Sequence, residues 1–268
     1  MSDTRHGTQG FKLAEWAQSS LGQSLFSIEQ NALQKYLPAL HGETAVQIAL
    51  PGIPPMLDSS AIVHKFLLVD GQPGSPDNEL ITAGNQILYA STDYVLPFDS
   101  SSVDLCLLPH MLDFAINPHN LLRECKESLV SGGHLLILGF NPYSLWGARK
   151  IFSRQPPWNG NNFTVYRIRD WLSLLDFHIC GGMMLYYSPP VQNPRLRGRF
   201  TFMEKAGDRW WPMLAAAYLL VAQKRDVGMT VIDFRESFKK KRYLNIAEPA
   251  AKNCAKHGDT LEYCRNEV

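Results

Sequence analysis

Two side chains able to hold or move a proton stand three residues apart, His110 and Asp113, just past the apolar run VDLCLLPH (103–110). An imidazole at a strand end can orient a substrate or act as a base. Asp113, one helical turn further, either accepts from that imidazole or caps the following segment. Upstream, AVQIAL (45–50) runs into PGIPP, as a buried strand runs into a ligand-binding turn. Such turns usually carry several glycines, because a bare backbone lets a nucleotide approach closely. Here Gly52 stands among Pro51, Pro54 and Pro55. Asp70 ends a second apolar run, and Asp93 follows a third. The five cysteines (Cys106, Cys125, Cys180, Cys254 and Cys264) form no CxxC pair, so neither a zinc site nor a disulfide framework is indicated, and no metal is expected.

The elements that must position these residues alternate in a regular way. KFLLVD (65–70), ILYAST (87–92), VDLCLLPH (103–110) and HLLILGF (134–140) follow AVQIAL as strand candidates. Several are continuously apolar, as parallel strands buried on both faces are. Between the fourth and fifth, PHNLLRECKESLVSGG reads as an amphipathic helix with Leu121, Leu122, Cys125 and Leu129 inward, capped by Gly132-Gly133. Residues 168–177 read as a further helix, and 178–187 and 215–225 as two more strands. Leu21, Leu25, Ile28, Leu33 and Leu37 give residues 11–40 a helical period, with a break expected at Gly22. The pattern predicts an N-terminal helical cap over 1–42, one α/β domain of about seven strands over 43–237, and a mobile tail over 238–268.

The stretch DYVLPFDSSSVDLCLLPHMLDFAINPHNLLRECKESLVSGGHLLILGFNPYSLWGARK (93–150) resembles the second half of a class I S-adenosylmethionine (SAM)-dependent methyltransferase of the ubiquinone-biosynthesis-like, type 11 kind. It has the Asp, the LPF turn, the S-x-D entering the fourth strand and the Gly pair before the fifth, in order. GFNPYSLWGARK, with RDWLSLLDF and YLLVAQKR downstream, is similar to the YafS-like subgroup of small bacterial methyltransferases. The resemblance implies a Rossmann-like, seven-stranded, mostly parallel sheet with helices on both faces. It also implies SAM, with S-adenosylhomocysteine as product, lying across the carboxyl ends of the strands.

On that resemblance, Asp93 accepts from the adenine amino group, Tyr94 lends its backbone N–H, and Asp70 takes the ribose hydroxyls. Leu108 and Pro109 pack against the methionine portion, beside the catalytic candidates His110 and Asp113. Asn141, Tyr143, Ser144 and Trp146 fall on the substrate side. The first-strand loop departs from the family pattern. Gln47 replaces an acidic residue, Ala49, Pro51 and Ile53 stand where glycines are usual, and Gly52 is one position out. Pro51 fixes φ near −65° and removes an N–H. The cofactor contacts expected there come from Gln47, Ala49, Leu50 and Gly52.

A net charge of +1 gives no global field toward nucleic acid. RLRGR (195–199) and KKKR (239–242) read as solvated faces. NPYS (141–144) follows the fifth strand, whereas the base-methylation motif it superficially matches ends the fourth, so a nucleic-acid partner is not expected. The N-terminus carries no signal-peptide pattern, and the longest apolar run, 210–222, is broken by Pro212 and too short to span a bilayer. A cytoplasmic location is therefore expected. The expected activity is methyl transfer from SAM to an O, N or C nucleophile of a small molecule. The alternative is a non-catalytic, methyltransferase-like SAM-binding or scaffold protein, suggested by the degenerate loop. A dinucleotide oxidoreductase is disfavoured, because no GxGxxG follows the first strand.

Overall fold

The computed structural model describes residues 13–70, 86–90, 95–150, 157–191 and 211–225, with isolated positions between them. Seven strands form one sheet: β1 (Thr44–Ala49), β2 (His64–Asp70), β3 (Gln86–Ala90), β4 (Val103–Pro109), β5 (Leu129–Phe140), β6 (Phe177–Leu185) and β7 (Ala217–Lys224). Their spatial order is β3-β2-β1-β4-β5-β7-β6. β7 enters antiparallel between β5 and β6, and the remaining pairs are parallel. Strand order reverses between β1 and β4, the place where open α/β sheets hold ligands beyond the strand ends.

The central strands are buried because their side chains are apolar on both faces. In β4, Leu105 and Leu107 point one way and Cys106 and Leu108 the other, and all four are buried. Helix α3 (Pro118–Ser128) lays Leu121, Leu122 and Cys125 on the sheet. Helix α5 (Val165–Leu174) does the same with Ile168, Trp171 and Leu172. Two short helices, α2 (Met111–Phe114) and α4 (Leu145–Arg149), follow β4 and β5.

At the opposite end of the sheet, the Asp of the S-x-D motif has a structural task. Asp104 Oδ2 accepts the backbone N–H groups of Glu43 at 2.8 Å and Thr44 at 2.9 Å. This pins the start of β1 to the start of β4 and so helps set the register Gln47↔Leu107.

Three sequence expectations change. The Gly pair is not a helix cap: α3 ends at Ser128, and Gly132 and Gly133 lie inside β5. There the register jumps from Val103↔Leu129 to Leu105↔His134, a bulge that Gly132 serves with φ +78°. The break near the N-terminus falls at Ser19, whose hydroxyl caps α1 (Ser20–Leu33) by accepting from Gly22 N. Gly22 instead allows a close crossing, since a Cβ there would stand 2.6 Å from the Trp16 carbonyl oxygen. The helix expected over 168–177 starts three residues earlier, capped by Thr164 Oγ1 accepting from Arg167 N. Most of the insertion between β6 and β7, and the tail over 238–268, lie outside the described residues.

Candidate functional site

β1 ends in a closed turn rather than an open glycine loop. Ile53 N donates to Leu50 O at 3.3 Å, which puts Pro51 and Gly52 at the two central positions. Gly52 takes φ +84°, as a type II turn requires at its second central position. Pro51 therefore fits this turn by the same fixed φ that made it unfit for a glycine loop. Gln47, buried in β1, holds the next segment. Its Nε2 donates to Pro54 O at 2.9 Å, and its Oε1 accepts from Met56 N at 2.7 Å. Both polar ends of Gln47 are committed to the chain's own backbone. The bare face of Gly52 is also taken, because a Cβ there would lie 2.3 Å from Ala14 Cα. The glycine admits the helical segment 13–18 against the turn.

That segment and α1 form a cap seated across the ends of β1 and β4. Gln30 Nε2 donates to Pro55 O at 3.3 Å, tying α1 to the β1 loop. Trp16 meets Phe140 and Trp146 edge-on at 6.3 and 6.2 Å, over the end of β5.

Beneath the cap lies a buried ionic group. His110 follows β4 directly in a left-handed conformation (φ 54°), its N–H still bonded to Leu138 O. Its Nε2 lies 2.8 Å from Glu29 Oε1 on α1, and its Nδ1 lies 3.5 Å from Asp113 Oδ2. The ring stacks on Phe140 at 4.0 Å between centroids. Asp113 Oδ2 also accepts from Phe140 N at 2.9 Å. All three ionisable side chains are buried, Glu29 completely. Burial works to lower the His110 pKa, but the charge of Glu29, the nearby Asp113 carboxylate and the bond to Glu29 outweigh it and raise it to about 9. Near neutral pH His110 is thus an imidazolium with no lone pair to give, so of its two expected roles the structure disfavours the base. Next to the group, burial and then the Asp113 charge push the Tyr218 phenol well above its usual range.

The structure places the remaining sequence candidates unevenly. Asp70 ends β2 beside Val69, which pairs with Ala49. Asp93 and Tyr94 lie outside the described residues. Leu108 is buried in β4, and Pro109 ends that strand. Asn141 is an internal tie: its Nδ2 donates to Met213 O and Ala215 O, and its Oδ1 accepts from Tyr143 N. Ser144 caps α4 by accepting from Gly147 N. Trp146 packs inside against Tyr186 at 5.4 Å, and its Nε1 donates to Ser188 O. Tyr143 is 64% exposed.

Sequence reasoning missed Glu29. The signal was present, because Leu21, Leu25, Glu29 and Leu33 recur every four residues on one face of α1. An acid inside an apolar stripe needs a buried partner.

Strand order, the single antiparallel strand and the reversal point together define the class I methyltransferase fold. Residues 71–137 match the model of a family described as methyltransferase domain. Among solved structures, the chain is similar to a putative methyltransferase of Haloferax volcanii in complex with the Trm112 methyltransferase activator. That likeness has a TM-score of 0.60 and 16% identity, and covers 83% of this chain and 100% of that one. It is also similar to a SAM-dependent methyltransferase of Thermotoga maritima described as a possible histamine N-methyltransferase, with TM-score 0.54, 16% identity, and coverage of 76% and 92%. The chain has the class I methyltransferase fold, and part of it matches a methyltransferase domain. Among curated proteins, it is 35% identical over 164 residues to the uncharacterized protein YafS of Escherichia coli strain K12. The match spans 60% of this chain and 64% of the length of YafS. No helix among the described residues is long and apolar enough to cross a membrane.

Proposed function

We propose that the protein transfers a methyl group from SAM to an O, N or C nucleophile of a small, partly apolar molecule. The observation that carries this reading is the β1–β4 reversal, where a methyltransferase-ordered sheet meets a buried polar group under an aromatic cap. The residues fit the cofactor in chemical terms. Glu29 Oε2 and Asp113 Oδ1 are buried acceptors without a hydrogen-bond partner, suited to a cationic, donor-bearing ligand.

When bound, SAM supplies an activated methyl group on a sulfonium. Asp70 at the end of β2, with Asp93 and Tyr94, would hold the adenosine half. The Leu50–Ile53 turn and the backbone of Leu108 and Pro109 would border the methionine half. His110 holds its proton and, between Glu29 and Asp113, keeps the floor of the site fixed. The cap, with Trp16 and Phe26 near Phe140 and His110, excludes water. Catalysis on this reading rests on alignment rather than on a base. The cytoplasm remains the proposed compartment, consistent with the buried thiols of Cys106 and Cys125 lying 3.7 Å apart without a disulfide.

A second reading has its own support. With Gln47 committed to its loop and Gly52 covered by Ala14, a methyltransferase-shaped scaffold without catalysis is the alternative. Calorimetric titration with SAM and S-adenosylhomocysteine separates the two. Binding in the micromolar range is expected. A folded protein with no binding at millimolar concentration would overturn the enzymatic reading in favour of the scaffold.

A further inference from the structure

Each carboxylate beside His110 has one oxygen engaged and one without a hydrogen-bond partner. Glu29 Oε1 is bound to His110, and Asp113 Oδ2 to the backbone of Phe140, while Glu29 Oε2 and Asp113 Oδ1 are buried and unpartnered. Buried acceptors left without a donor are costly, and a cationic donor supplies what both lack.

The position of the group narrows the identity of that donor. Gln47 and Leu107 are partners across β1 and β4, and Leu50 and His110 each follow three residues on, just beyond the ends of those two neighbouring strands. Gln47 stands in β1 where the sequence resemblance implies an acid, and both its polar ends are tied to Pro54 and Met56. It has no charge to offer an ammonium. Glu29 is the carboxylate that reaches this place from the other side. Its neighbour Gln30 bonds to Pro55 in the β1 loop, which sets this turn of α1 across that loop. Asp113 leans toward β5 through Phe140 N and stands as the second acceptor.

We infer that Glu29, reaching down from the N-terminal cap, supplies the carboxylate that receives the ammonium group of the cofactor's amino-acid end, in place of the missing first-strand acid. This rests on the SAM-dependent reading above. The cap is then part of the cofactor site as well as its cover. Ligands with an adenosyl group and a free amino-acid end use Glu29, and adenosyl thioethers lacking that end do not.

The test is calorimetric titration of wild type, Glu29→Gln and Glu29→Asp with two probes, S-adenosylhomocysteine and 5′-methylthioadenosine, which lacks the amino-acid end. Glu29→Gln is expected to weaken S-adenosylhomocysteine about tenfold or more, through loss of a charge-assisted bond. It should leave 5′-methylthioadenosine within about twofold, less than the tenfold step of 1.4 kcal/mol. Glu29→Asp should recover part of the loss. Equal weakening of both probes, or of neither, overturns the inference and leaves the SAM-dependent reading standing. Failure of wild type to bind either probe removes that reading and the inference together. If Glu29→Gln does not fold, wild type is titrated with the analogue of S-adenosylhomocysteine in which hydrogen replaces the amino group. Weaker binding of that analogue supports the inference, and affinity equal to that of S-adenosylhomocysteine overturns it.

Discussion

Glu29 Oε1 and His110 Nε2 lie 2.8 Å apart, joining the cap helix α1 to the residue that follows β4, and both side chains are buried. The pair is 81 residues apart in sequence. It fixes where the cap sits, and with Asp113 it fixes the charge of the ground beneath it.

The first consequence is a pH dependence of stability with two opposite limbs. The His110 pKa is raised from 6.5 to about 9, so below 6.5 folded and unfolded chains both hold the proton and the stabilisation is complete. Between 6.5 and about 9 the unfolded chain releases the proton while the folded one keeps it. Stability therefore falls as pH rises, by about 3 kcal/mol in all. The charged groups facing His110 are Glu29 on α1 and Asp113 on α2, while the Tyr218 phenol stays neutral over this range. His134 works the other way: burial lowers it to about 4, so the unfolded chain takes up a proton first and stability falls as pH drops from 6.5 toward 4. Urea midpoints measured from pH 4 to 10 should peak near 6.5. Replacing His110 with Asn should flatten the alkaline limb and leave the acid limb in place. An alkaline limb unchanged in that variant contradicts the assignment.

The second consequence concerns Gly52. Were its missing side chain reserved for a ligand, alanine there would cost the unliganded protein only the strain of a positive φ. The structure puts Ala14 Cα where the new Cβ would go. Gly52→Ala should therefore destabilise the unliganded protein by about 2–5 kcal/mol, adding overpacking to backbone strain. Ala14→Gly should not rescue it, because the obstructing atom is a backbone Cα. Denaturant midpoints of the two single variants and the double variant decide the matter. Rescue by Ala14→Gly would show that the contact is only with the alanine methyl.

These two residues also show what could be read in advance. The sheet was legible because the strands are apolar on both faces, and their run lengths and punctuation mark seven of them without tertiary information. The short capping signals were harder. Thr164 and Ser19 set helix starts, yet each competes with stronger apolar periodicity nearby. Gly132-Gly133 resembled a helix end because a bulge and a C-cap demand the same positive φ. The site was legible in part. His110 and Asp113 were singled out by type and spacing, but their ionic state depends on Glu29, and no local pattern brings α1 to the end of β4. Gly52 was read for its backbone freedom, and only packing shows which neighbour uses it.

The S-x-D aspartate gives the last prediction, because its role separates architecture from the site. Asp104 stands at the start of β4, the far end of the sheet from His110 at that strand's close. Its Oδ2 holds the N–H groups of Glu43 and Thr44, and Gly42 packs so closely that any Cβ there would stand 2.3 Å from Asp104 Cβ. Asp104→Ala leaves two backbone donors at the start of β1 without their carboxylate. The cost should be about 1–3 kcal/mol, toward the lower end because one of the two bonds is exposed to water. Asp104→Asn keeps an acceptor without its charge and should lose about half as much. Neither change should alter S-adenosylhomocysteine affinity measured on the folded protein, since the proposed site lies a full strand length away. Thermal melts and titrations run side by side test both statements. A variant of normal stability that binds weakly would move Asp104 from the scaffold into the site.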